Sequence, residues 1–228
     1  MAVRMRKIIS LASLLTFMPL QAAPALSDDE DFQAWQQVIV SKELRPDVTA
    51  NMEVQTRFND DASNFDELLL RPSIGFKIID STVLTVGYAY VRTEPEGGAD
   101  TSENRIWQQI SFPVLTIPTG FALTNRTRLE QRFREDDTSW RLREQLRLAI
   151  PLGPPGVDLV AWSEVFFRLN TADWAGDAGF DRWRNFAGIS FALDQNTTLE
   201  PGYMNQLVNK SSGDEVDNIF NVTLNVRY

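Results

Sequence analysis

Apolar and polar residues alternate one by one along most of this chain. The clearest stretch is 119–150. Its first arm sets Arg126, Arg128, Glu130, Arg132 and Arg134 on one parity, against Phe121, Leu123, Thr127, Leu129 and Phe133 on the other. Its return arm sets Arg141, Arg143, Gln145 and Arg147 against Trp140, Leu142, Leu146 and Leu148. A period of two is that of a β-strand, whose successive side chains leave on opposite faces. The stretch predicts a hairpin with one guanidinium-rich face and one apolar face.

The same alternation recurs at 48–58, 66–79, 82–93, 103–113, 157–169, 181–193, 197–208 and 216–228. A β-prone run at 32–44 brings the count to eleven. These runs are longer than the ~5–6 residues usual for soluble strands and long enough to cross a bilayer at a tilt. The connections alternate in length. Short ones fall near 45–47, 80–81, 114–118, 151–156 and 194–196, and longer ones near 59–65, 94–102, 135–138, 170–180 and 209–215. Short turns on one side and long loops on the other are the pattern of bacterial outer-membrane barrels. The pattern predicts an all-β fold, a transmembrane antiparallel β-barrel of about 10–12 strands. Such barrels have even strand numbers, so 48–228 reads as ten regular strands. Residues 26–47 are then an N-terminal arm, or the first strand of a twelve-stranded wall.

The N-terminus changes the picture of location. Arg4, Arg6 and Lys7 precede an apolar run over 8–20, and the small residues Ala22, Ala23 and Ala25 follow. This is the layout of a cleaved signal peptide, here residues 1–25. The chain carries a net charge of −9, and cleavage would take it to about −12. That charge disfavours nucleic acid as a partner, since such binding displaces counterions with a positive surface. No later stretch reaches the ~18 apolar residues of a membrane helix. There are no cysteines, so neither disulfides nor thiolate metal sites can hold the chain together.

Alternation alone does not say which face is inside, since a soluble exported β-barrel binding protein also alternates, with its apolar side inward. Three features favour the membrane arrangement. The apolar face is nearly free of charge, Glu144 being the exception. Trp140, Tyr90 and Tyr228 sit at run ends, where aromatic girdles meet a bilayer surface. The last run, Phe220, Val222, Leu224, Val226 and Tyr228, has the form of a C-terminal strand presented to barrel-insertion machinery.

Several segments are similar to the DUF2490 family, expected outer-membrane barrels of unknown function: FQAWQQVIVSKEL, VQTRFND, LLLRPSIGFKI, VGYAYVR, RIWQQI, RTRLEQRF, RLREQLRLAIP and GYMNQ. The segment RxRLEQR is the most specific. The resemblance implies fold and location and brings no activity with it.

On the membrane reading the lumen-lining candidates are Arg126, Arg128, Glu130, Arg132, Arg134, Arg141, Arg143, Arg147, Glu164, Arg182, Arg184 and Glu200. Glu103, Glu130, Glu164 and Glu200 are the expected counter-charges, because unpaired guanidinium groups in a narrow interior are costly. Two roles follow: a closed structural barrel, or a narrow porin-like channel for small solutes, anions among them. With no histidine and no cysteine, a Ser–His or Cys–His relay is impossible, and the chain is not expected to be an enzyme. No cofactor and no metal site is expected. The expected partners are outer-membrane lipid, lipopolysaccharide and the insertion machinery. The acidic loops read as solvated rather than calcium-binding, having no spaced ligand pattern. Gly87 and Gly188 read as easing strand bending or inter-strand crowding in a barrel wall.

Overall fold

The computed structural model describes residues 31–79, 81–135, 137–210 and 213–228. The expected signal peptide therefore lies outside the described residues. Eleven strands follow one another in chain order. They are β1 (Asp31–Arg45), β2 (Val48–Asn59), β3 (Asn64–Ile79), β4 (Thr82–Thr93), β5 (Thr101–Thr116), β6 (Ala122–Arg134), β7 (Asp137–Pro151), β8 (Val157–Arg168), β9 (Gly179–Ala192), β10 (Thr197–Val208) and β11 (Glu215–Arg227). Each pairs with its chain neighbours in antiparallel register, and the sheet closes on itself.

The closure departs from an all-antiparallel wall. β1 and β11 pair in parallel, from Asp31 opposite Asp217 to Ser41 opposite Arg227. The physical reason is parity: with eleven strands the first and last run the same way, so only a parallel ladder can join them. Residues 32–44 thus belong to a full strand of an eleven-stranded wall, which closes without a twelfth strand among the described residues. Tyr228 extends the seam, donating its N–H to Ser41 O at 2.9 Å and accepting from Glu43 N at 2.9 Å.

One end of the barrel carries the connections 46–47, 80–81, 117–121, 152–156 and 193–196, and the other carries 60–63, 94–100, 135–136, 169–178 and 209–214. The expected asymmetry holds at three of the five long positions, 94–100, 169–178 and 209–214. The connection at 60–63 is no longer than those at 117–121 and 152–156, and the expected loop near 135–138 is cut short by strand pairing. Arg134 pairs directly with Asp137, and Glu135 takes φ 54°, the left-handed backbone that so tight a reversal requires.

The sidedness is the reverse of a soluble core. Val38, Met52, Ile74, Val86, Ile106, Leu159 and Phe220 are exposed on the outer face. The inner face carries Arg71, Arg105, Arg128, Glu130, Arg143, Glu164 and Arg184, all buried. Glu144 stays outside, where its carboxylate accepts from Asn125 Nδ2 and, at 2.6 Å, from Thr127 Oγ1. Beside this group Gln108 and Gln131 exchange amide hydrogen bonds of 3.0 and 3.2 Å. The outer polar groups in this region therefore satisfy one another.

The interior is not charged throughout. Trp35, Val160, Phe186, Met204 and Ile219 form an apolar cluster on the β8–β11 and β1 side, with Trp162 stacked on Phe186 at 5.2 Å. Glycines make room for these rings. A Cβ on Gly202 or Gly188 would fall 2.3 and 2.6 Å from the Phe186 ring, and one on Gly87 would fall 2.4 Å from Trp107. The rings lie flat over backbone that carries no side chain, which fills the lumen wall without straining the strands.

Candidate functional site

The lumen is a single cavity of about 1050 Å³, lined by residues from all eleven strands and by Trp174. Its size comes from strand number, because a wall of eleven strands encloses more space than eight, whose side chains just fill the middle. Its chemistry comes from parity: most inward positions in the middle of β5, β6 and β7 carry long polar side chains, such as Arg105, Gln109, Arg126, Arg128, Arg141 and Arg143, and the pleat points them inward. Thirteen arginines and six glutamates line this space among the described residues.

The carboxylates tie the arginines into a chain along one wall. Arg126 Nη2 reaches Glu164 Oε1 at 2.6 Å, and Arg143 donates to the same carboxylate at 2.9 and 3.0 Å. Arg143 Nη1 also donates to Glu130 Oε1 at 2.7 Å, while Arg141 reaches Glu130 Oε2 at 2.6 and 2.9 Å. From Arg141 the chain passes to Asp181 at 3.3 Å, and Asp181 also takes Arg168 at 3.1 Å and Arg182 at 3.4 Å. Separate pairs stand alongside. Glu103 receives Arg132 at 2.6 and 2.8 Å and Arg105 at 2.5 Å; Glu200 receives Arg147 at 2.5 and 3.0 Å; Glu67 receives Arg57 at 2.5 Å; Glu53 receives Arg71. Ion pairs this buried require such saturation, since each group left single would carry its full desolvation cost.

All twelve residues singled out from the sequence point inward. Eleven line the cavity, and Glu130 sits behind them, 1% exposed, bridging Arg141 and Arg143. Parity did not announce Asp181. It is the extra residue of a β-bulge between Phe166–Phe167 of β8 and Arg182–Phe180 of β9, which turns a side chain of the outward parity into the lumen. Trp174 was equally hidden, in a loop with no periodicity to read. The β8–β9 loop folds over the mouth. Ala172 is buried, and the Trp174 ring lies 4.8 Å from the Arg132 guanidinium and 5.9 Å from that of Arg134. Arg168 fastens the loop through Asp177 O at 2.7 Å and Ala175 O at 3.1 Å, and Asn170 clamps it to Trp140 N at 2.7 Å and Thr138 O at 2.8 Å.

Aromatic rings hold several guanidinium groups flat. Arg128 lies 4.2 Å over Trp107, with Nε and Nη2 donating to Gln109 at 2.9 and 2.7 Å and its nearest carboxylate at 3.8 Å. Arg57 lies 3.8 Å over Trp35, and Arg143 lies 4.5 Å over Phe166. Stacking of this kind fixes the plane of a cation while leaving its edge free to donate.

Comparison with known proteins agrees with this architecture in extent. The model of the DUF2490 family, described as a protein of unknown function, matches residues 32–217, from the first strand into the last. An uncharacterized protein of Methylorubrum extorquens is 41% identical over 189 residues, covering 80% of this chain and 82% of that relative.

Proposed function

We propose, for a chain that belongs to the DUF2490 family of proteins of unknown function, that it is an outer-membrane barrel forming a narrow pore for small solutes, with a preference for anions. The observation that carries this reading is the inverted sidedness: exposed aliphatic and aromatic residues around the outside, buried arginines and glutamates within. In water such an outer face is a severe liability, whereas in a bilayer it is the face that lipid requires. Strands of 12 to 16 residues exceed the ~9–11 needed to cross the hydrocarbon layer at a tilt. Lipid and lipopolysaccharide are then the natural neighbours of the barrel.

The preference for anions follows from the arginine surplus on the lumen wall, because fixed positive charge raises the local concentration of anions and repels cations. Planar-bilayer recording of the purified chain tests the pore. Small unitary currents are expected, with a reversal potential under a salt gradient that reports anion preference. Arg128→Glu with Arg132→Glu should move that preference toward cations. Unchanged selectivity in a variant with the wild-type difference in mobility between boiled and unboiled samples would refute an arginine filter.

The Trp174 loop favours a second reading, a closed structural barrel, since it narrows the mouth at the long-loop end. Deletion of 170–178 separates the two. Current that appears or grows on deletion supports the pore, and silence in both forms supports the closed barrel.

A further inference from the structure

Arg184 stands apart from the other buried arginines. It is 8% exposed and lines the cavity, yet no carboxylate lies within ion-pair distance among the described residues. Its Nε donates to Gln206 Oε1 at 2.6 Å, and Gln206 in turn donates to Asp217 Oδ2 at 2.5 Å. Trp35 and Phe166 stack on the guanidinium, each ring centre 4.8 Å away. With the two rings holding the plane and Gln206 occupying Nε, the paired terminal nitrogens are the edge left over. The charges nearest in effect are Arg57, Arg182 and Arg143, with Glu164 the one carboxylate among them. A guanidinium cannot lose its proton to relieve this, so the local excess of positive charge is permanent.

We propose that Arg184 anchors an oxyanion-binding site in the lumen, which takes the carboxylate or phosphate group of a small solute. Two parallel N–H donors on one rigid plane match two oxygens of either group, the geometry in which arginine recognises them. The surrounding arginines lower the cost of bringing an anion out of water, and the cavity of about 1050 Å³ has room for a small solute beside them. The site rests on the reading of the lumen as a solute path. It turns a general preference for anions into a defined stopping point.

The test is isothermal titration calorimetry of the folded full chain in detergent, with sodium phosphate and, separately, sodium succinate, at ionic strength held constant with chloride. Saturable one-site binding of at least one of these anions is expected. Phosphate alone binding assigns a phosphate group, succinate alone a carboxylate, and both a shared oxyanion site. Arg184→Gln should weaken binding by about tenfold or more, the usual loss for a charge-assisted hydrogen-bonded pair. Arg184→Lys keeps the charge and loses the fork, so it should also weaken binding, and it serves if the glutamine variant does not fold. Arg92→Gln, an exposed arginine outside the cavity paired with Glu94 and Asp100, should stay within about twofold of wild type, as expected for sites that share no partner. No saturable heat with either anion, wild-type affinity in both Arg184 variants, or equal weakening by Arg92→Gln would overturn the proposal. Binding without conductance keeps the site and ends the pore. Conductance without binding does the reverse.

Discussion

Glu130→Gln removes the carboxylate on which the main arginine chain converges. In the native barrel Glu130 is 1% exposed and accepts three hydrogen bonds of 2.6 to 2.9 Å from Arg141 and Arg143, with Arg128 at 3.8 Å. Breaking a buried ion pair from one side costs about 3–5 kcal/mol, because the surviving charge is left in a poor solvent. Here neither arginine loses every partner. Arg141 retains Asp181 at 3.3 Å, and Arg143 retains Glu164 at 2.9 Å. The expected loss therefore falls at the lower end, about 3 kcal/mol, roughly a 150-fold change in the folding equilibrium. The assay is equilibrium urea unfolding of the chain folded into lipid vesicles, read by tryptophan fluorescence and by mobility of unboiled samples. Glu130→Gln combined with Arg143→Gln should cost less than the sum of the two single changes, since the two side chains share one interaction. A loss below about 1 kcal/mol would refute the reasoning. It would mean that water and ions screen the lumen as they screen exposed pairs at a protein surface.

Gly202→Val should lower the unfolding midpoint of the boiled-versus-unboiled mobility shift by overpacking worth about 1–3 kcal/mol, because its Cβ would fall 2.3 Å from the Phe186 ring. Gly75→Ala, whose nearest side-chain atom is 3.3 Å away, should cost clearly less, and equal costs would refute the role given to Phe186. Trp174→Ala should raise single-channel conductance without abolishing folding, as the indole narrows the mouth against Arg132 and Arg134. Unchanged current would count against the loop as a constriction. Glu144→Leu removes the charged group of an otherwise uncharged outer patch and should leave vesicle-folded yield unchanged or improved. A marked fall in yield would argue that the patch meets something other than lipid.

The sequence by itself determined which side chains share a face. Alternation is a local property, set by the pleat of each strand, so the inward arginines of β6 and β7 were legible one strand at a time. So was the presence of strands from residue 32 to the end. What the alternation could not decide was anything that depends on how strands meet. The odd count has one way to close, yet the parallel seam from Asp31–Asp217 to Ser41–Arg227 exists only in the assembled wall. Arg147 meets Glu200 across 53 residues of chain, a pairing set by tilt and register around the barrel and written in neither strand alone. The bulge at Asp181 breaks the alternation that a reader of sequence relies on, and so hides a carboxylate that three arginines share. Arg184 follows the same rule as its neighbours in sequence. Only the tertiary structure separates it from them, by setting Trp35, Phe166 and Gln206 around it with, among the described residues, no carboxylate within ion-pair distance.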